Sequence, residues 1–233
     1  MKKLLCSLMV ALIAFSGCAA LAAGKLEVTH ENLMLLDEYG FEGYAFARVE
    51  NTGDKPIKIN AGVMELYNAD GDAITSSDYL YAYGSEQLNP GEYTYVQLSA
   101  SDSEAEVADV ADHLLTITGK SDKDYVVSRF PVTTDLALNV EEDYYTTNYM
   151  YATVTNDTDE PVYDIHVALA LLDADGNILY LTDENLYNKA LLPGGSILIR
   201  EEIPSYFSDS FEKNGYGTPA SVDAIAYVQT YQP

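Results

Sequence analysis

Residues 152–179 read ATVTNDTDEPVYDIHVALALLDADGNIL, and residues 47–74 read ARVENTGDKPIKINAGVMELYNADGDAI. Aligned without gaps, Ala47, Val49, Asn51, Asp54, Pro56, Leu66, Ala69, Asp70 and Gly71 recur at one constant offset as Ala152, Val154, Asn156, Asp159, Pro161, Leu171, Ala174, Asp175 and Gly176. LNPGE at 88–92 and LLPGG at 191–195 extend the match. Matches that share turn residues as well as apolar positions imply an internal duplication into units of about 100 residues, the common size of a domain. Within each copy the period is two. Ile165, Val167, Leu169 and Leu171 alternate with His166, Ala168 and Ala170, as Met64 and Leu66 do with Val63 and Glu65. A period of two places one set of side chains on a core and the other outside, which is the pattern of a β-strand.

Outward from this stretch, ENTGDKP and TNDTDEP carry the Asn, Asp, Gly and Pro of strand connections. Further strands are expected at 26–35, 93–98, 114–118, 124–130, 197–203 and 224–230, with helical turns at SDSEAEVADVAD, capped by Ser101 or Asp102, and at PSYFSDSFEKN. Many short strands broken by Gly and Pro predict an all-β chain, two tandem immunoglobulin-like antiparallel β-sandwich domains with short helical insertions. The join is expected between Pro131 and Thr134, giving domains 25–132 and 133–233, and with no Gly/Ser linker there it leaves the two little freedom.

The 233 residues are 48% hydrophobic and 21% charged, a composition that folds around a core. Charge is one-sided: 12 Lys and Arg oppose 37 Asp and Glu, a net −25. Such a field repels nucleic acid and bare anionic membranes and attracts cations or basic partners. The N-terminus, MKKLLCSLMVALIAFSGCAALAAGK, has a basic start, an apolar run from Leu4 to Phe15 and small residues after it, the pattern of a secretory signal over 1–22. Two endings stay open. Phe15-Ser16-Gly17-Cys18 resembles a bacterial lipobox, making Cys18 a lipidation site, whereas Ala20-Leu21-Ala22 resembles a signal-peptidase site. Acyl chains would anchor the protein, each buried methylene contributing about 0.8 kcal/mol. Cys6 and Cys18 are the only cysteines, so the mature exported chain is held without an internal disulfide.

VMELYNADGD with LNPGE, and ALALLDADGN with LLPGG, resemble the FxLYD type of immunoglobulin-like domain found in exported lipoproteins of Gram-positive bacteria and archaea. Met64-Glu65-Leu66-Tyr67-Asn68 and Leu169-Ala170-Leu171-Leu172-Asp173 occupy the signature, with Met or Leu where the family has Phe. The resemblance covers about the middle half of each copy. It implies an immunoglobulin-like fold and an extracytoplasmic location, and it brings no catalytic residues with it.

NADGD at 68–72 and DADGN at 173–177 also resemble the start of a calcium loop. Counted from Asp173, an EF-hand would draw on Asp173, Asp175, Asn177 and Glu184, but its glycine position holds Ile178, and a strand rather than a helix leads in. The first copy has Ala73 and Tyr79 at the glycine and last-ligand positions. A hairpin turn accounts for both: Asp or Asn caps it and Gly71 or Gly176 takes a positive φ. The favoured expectation is therefore no cofactor, with calcium at Asp173, Asp175, Asn177 and Glu184 the alternative. His30, His113 and His166 are not at ligand spacing, and no G-x-S-x-G, H-E-x-x-H, P-loop or dinucleotide fingerprint is present.

Tyrosine is the unusual count: 20, with no tryptophan. DYLYAYG (78–84) and DYYTTNYMY (143–151) concentrate it. Tyrosines on one face form cross-strand ladders that stabilise a sheet; exposed, they form a platform for a glycan or protein, here Tyr79, Tyr81, Tyr83, Tyr144 and Tyr145. The combined expectation is a non-catalytic exported surface or envelope protein acting as a binding or structural module for an unknown protein or glycan, touching a membrane only through a lipid anchor. A carbohydrate-binding or calcium-stabilised adhesion protein is the runner-up, and an enzyme of unrecognised type comes third.

Overall fold

A computed structural model describes residues 24–37, 41–102, 105–121 and 125–232. The expected leader and lipidation site, residues 1–22 with Cys18, lie outside the described residues. The chain is all-β, with antiparallel pairing throughout. Its strands are β1 (Leu26–Leu36), β2 (Phe41–Asn51), β3 (Ile57–Tyr67), β4 (Ala73–Ser77), β5 (Leu80–Ala82), β6 (Gln87–Leu88), β7 (Tyr93–Asp102), β8 (Asp112–Lys120), β9 (Tyr125–Phe130), β10 (Val132–Glu141), β11 (Thr146–Thr155), β12 (Val162–Asp173), β13 (Ile178–Leu191), β14 (Ser196–Ile203) and β15 (Pro219–Tyr231). A helix, α1 (Ser205–Lys213), and a 3₁₀ turn at Val107–Asp109 complete it. The turn is capped by Glu106 rather than by Ser101 or Asp102, which are drawn into the end of β7.

The strands form four sheets stacked in layers. Sheet I holds β4, β3 and β6, with β8 also on β3; sheet II runs β1-β2-β7-β5; sheet III runs β13-β12-β15-β9; sheet IV runs β10-β11-β14. Between I and II, Met64 and Leu66 of β3 meet Ala45, Ala47 and Val49 of β2 and Val96 and Leu98 of β7. Between III and IV, Ile165, Val167, Leu169 and Leu171 meet Met150, Ala152, Val154 and Ile199. The alternation read from the sequence supplies both cores.

Sheets II and III also pack on each other. The outer residues Met34, Leu36, Phe46 and Tyr95 of sheet II belong to the same buried cluster as Ala168, Ala170, Ile225 and Tyr227 of sheet III. Side chains alternate faces along a strand, so β2 and β7 serve one core with Ala45, Ala47, Val96 and Leu98 and the other with Phe46 and Tyr95. Small side chains at Ala168 and Ala170 leave room for the approach, and both are fully buried.

The duplication recurs bond for bond. Asn51 Nδ2 donates to the carbonyls of Lys55 (2.8 Å) and Leu88 (3.0 Å); Asn156 Nδ2 donates to those of Glu160 and Leu191, both at 2.8 Å. Each Asn Oδ1 accepts a backbone N–H two residues on, from Gly53 and Thr158. Both side chains are fully buried, and each ties a strand end to the loop before β7 or β14.

One strand departs from the expected division. β9 lies before the expected join at Pro131 but pairs with β15, Phe130 opposite Ala226 and Tyr125 opposite Tyr231. It thereby completes sheet III, and the passage between the two pairs of sheets falls ahead of Tyr125 rather than at 131–134.

Candidate functional site

The quoted stretches end in tight turns. Asn68 Oδ1 accepts the backbone N–H of Asp70 and Asp72, and Asp173 Oδ1 accepts those of Asp175 and Asn177, all at 2.8–3.0 Å. Gly71 and Gly176 sit at φ 85° and 86°, where a Cβ would be strained. Asp173 Oδ2 accepts from Asn177 Nδ2 at 2.7 Å. Burial by itself would raise the Asp173 carboxyl, but these hydrogen bonds outweigh it and hold the group below its ordinary value. Glu184 lies along β13 opposite Val167. Among the described residues no group of three or more His, Cys, Asp or Glu is placed to hold a metal, so Asp173, Asp175, Asn177 and Glu184 are not gathered as ligands.

The tyrosines divide. Tyr79, Tyr81 and Tyr83 run along and beside β5, the edge of sheet II, where it overlies β13 of sheet III. Tyr79 is 67% exposed. Tyr81 is exposed on one side, donates its hydroxyl to Asp183 Oδ1 at 3.2 Å, and meets Tyr83 edge-on at 4.8 Å. Tyr83 is packed against the II–III core and donates to Gln97 Oε1 at 2.6 Å. It is partly buried and anchors the row from behind. Tyr144 and Tyr145 are exposed in the turn between β10 and β11, on sheet IV, with sheet III between them and β5. The five do not form one platform.

The second half adds partners that the sequence reading passed over. Tyr187, 61% exposed on β13, meets the His166 ring edge-on at 6.1 Å, and His166 stacks on Tyr227 at 5.2 Å. The Tyr81 hydroxyl is raised by burial, then by Asp183 and by neighbouring Tyr79 and Tyr187. Tyr79, Tyr81, Asp183, His166 and Tyr187 thus line one acidic, aromatic seam drawn from both halves. The available signal was the spacing of Tyr180 and Tyr187 in ILYLTDENLYNKAL; nothing local says that this strand lies under DYLYAYG.

Elsewhere the II–III contact is closed by polar groups. Tyr93 and Tyr95 donate to the same oxygen, Asp223 Oδ2, at 2.7 and 2.6 Å. Burial and then this carboxylate push the Tyr93 hydroxyl up to about 12. Arg48 lies over the Tyr93 ring at 3.8 Å, and Arg129 Nη2 donates to the Tyr93 carbonyl at 2.6 Å. Asn32 Nδ2 reaches the Ile178 carbonyl at 2.8 Å, and the Tyr216 hydroxyl both accepts from Leu35 N–H and donates to Leu35 O. A cleft of about 270 Å³ remains beside this contact, walled by His30, Arg48, Tyr93, Tyr95, Gly176 and Asp223. The Arg48 guanidinium in its wall is already paired with Glu50 and Thr29.

No family model matches the chain, and no curated protein matches it. Among solved structures, red sea bream transglutaminase aligns at 12% identity and a TM-score of 0.21 over 88% of this chain; the chain spans 31% of that protein. The N-terminal CBM22-1–CBM22-2 tandem domain of Paenibacillus barcinonensis Xyn10C aligns at 9% identity and a TM-score of 0.14, over 93% of each chain. Likenesses this slight carry no argument about function. No helix among the described residues is long and apolar enough to cross a membrane.

Proposed function

We propose that the chain is an exported, non-catalytic binding module of two tandem immunoglobulin-like sandwiches of the FxLYD type, anchored through a lipid on Cys18 or released after cleavage of the leader. The duplicated Asn51 and Asn156 networks support two homologous units, and the pairing of β9 with β15 favours a boundary just ahead of Tyr125. One observation carries the binding reading: Tyr79 and Tyr187 stand exposed beside Asp183 and His166, on a seam to which both units contribute. Tyrosine gives wide, stiff contact with one polar tip, and a carboxylate between such rings suits a hydroxyl-rich glycan or a basic protein surface.

The test follows tyrosine emission and melting temperature of residues 24–233 during titration with soluble polysaccharides and with basic proteins. Partners are then rescreened against Y79S/Y187S. A response that disappears in the double variant supports the seam; a partner bound equally by both proteins would place the ligand face elsewhere.

A further inference from the structure

The cleft beside the II–III contact holds opposite charges that do not meet. Its volume is about 270 Å³, and both halves of the chain wall it: β1, β2 and β7 contribute His30, Arg48, Tyr93 and Tyr95, and β15 contributes Asp223. Cations are scarce in a chain of net charge −25, which has three arginines. Two of them, Arg48 and Arg129, lie against the Tyr93 ring, at 3.8 and 5.7 Å.

Tyr93 sets the spacing of the charges. The Arg48 guanidinium lies over its ring, and Asp223 Oδ2 lies beyond its hydroxyl at 2.7 Å, so cation and carboxylate stand roughly the length of a phenol apart. Each keeps unused hydrogen-bonding capacity. Arg48 spends Nη1 on Thr29 Oγ1 at 2.8 Å and on Glu50 Oε2 at 2.9 Å, which leaves Nε and Nη2 without a hydrogen-bond partner among the described residues. Asp223 Oδ2 accepts from both Tyr93 and Tyr95, which fills its two lone pairs, whereas Oδ1 accepts from none of the described residues. Tyr95 is 2% exposed and meets the Tyr93 ring edge-on at 5.8 Å, so rigid groups hold the carboxylate in place.

We propose that this cleft binds a free aliphatic α-amino acid, whose carboxylate meets Arg48 Nε and Nη2 and whose ammonium meets Asp223 Oδ1. A guanidinium presents paired donors that match a carboxylate. The Tyr93 and Tyr95 oxygens, having donated their own protons, accept further ammonium hydrogens. Leu172 and Ile178 complete the wall and give an aliphatic side chain an apolar surface. A simple anion would face the Asp223 carboxylate with like charge, and a simple amine would leave Arg48 unanswered. The cleft lies below the roughly 300–1,000 Å³ of pockets for drug-sized molecules, so one amino acid rather than a polymer fits it. Because both halves wall the cleft, its occupant also clamps sheet II to sheet III.

The test titrates residues 24–233 with L-leucine, L-valine and L-alanine, followed by calorimetry and by amide chemical shifts. Saturable binding of L-leucine with a Kd below about 1 mM is expected, with shifts centred on His30, Arg48, Tyr93, Tyr95 and Asp223. N-acetyl-L-leucine lacks the cation and L-leucinamide lacks the carboxylate; each should bind about tenfold more weakly or worse. L-glutamate, which brings a second carboxylate to the apolar wall, should lose a similar factor. These comparisons use the unaltered protein, so they hold even if D223N, expected to weaken binding about tenfold, folds poorly. Y79S/Y187S should bind L-leucine as the parent does, which separates the cleft from the tyrosine seam. The proposal is overturned if none of the three amino acids saturates by about 10 mM, if either blocked analogue binds as well as L-leucine, or if the shifts lie elsewhere.

Discussion

β3 and β12 are copies of one strand with different surroundings. Val63 is 38% exposed, while its counterpart Ala168 is fully buried; Glu65 is half-buried, while its counterpart Ala170 is fully buried. The inner faces do the same job in both. The outer face of β3 meets solvent, and that of β12 meets sheet II. A period of two therefore reports how many faces a strand has, but the residues on the second face decide whether the strand ends a stack or continues it.

Exchanging outer residues between the copies puts this difference to its most severe test. A170E places a carboxylate in the II–III core and should cost on the order of 4 kcal/mol or abolish folding. E65A should change stability by less than about 1 kcal/mol in the same urea titration. If A170E folds with near-normal stability, sheets II and III are not packed as described. The shared network should behave in the opposite way: N51A and N156A each orphan one buried carbonyl, of Leu88 or Leu191, and one partly buried carbonyl, of Lys55 or Glu160, and should each cost about 2–3 kcal/mol. Costs differing by more than about 1 kcal/mol would show that the halves are not energetic equivalents.

Much of this was legible. The strands expected at 26–35, 93–98, 197–203 and 224–230 from alternation and turn residues lie within β1, β7, β14 and β15, and the helical turn expected in PSYFSDSFEKN is α1; the extensions of β7 to Asp102 and of β15 back to Pro219 were not read. The Asx turns follow from Asn68, Asp173 and the glycines. The II–III contact was not legible, because Phe46 and Tyr95 look like ordinary members of an alternating strand and two alanines carry no visible instruction to receive them. For the same reason Tyr81 and Tyr83 read as a free platform although Asp183 and Gln97 hold them. The partner of β9 was hidden because VVSRF suits either sheet equally well; pairing across 100 residues is a property of the whole arrangement.

Two smaller effects separate the copies at their turns. Asp173 is titratable where Asn68 is not. Its carboxyl lies lower in the folded chain than in the unfolded chain, so its stabilisation is full above the ordinary carboxylate range, near pH 4, and is lost as pH falls through the lowered value. D173N should lower the melting temperature at neutral pH, by losing the Asn177 bond, and flatten the decline below about pH 4 relative to the parent. A decline of unchanged steepness would assign the acid sensitivity to other groups. Smallest of all is the response to calcium: with both Asp173 oxygens engaged in the turn, millimolar calcium against EDTA should move the melting midpoint by less than about 1 °C. A rise of several degrees would restore Asp173, Asp175, Asn177 and Glu184 as ligands.

The position of β15 also sets an order on folding. It comes last in chain order among the described strands, yet it lies between β12 and β9 and carries Asp223 beneath Tyr93 and Tyr95. Until it is in place, β9 lacks its strand partner, and Tyr93 and Tyr95 lack the carboxylate that receives their hydroxyls. Contacts this distant in sequence are slow to form. Sheet III and the polar closure of the II–III contact are therefore completed together, in one step.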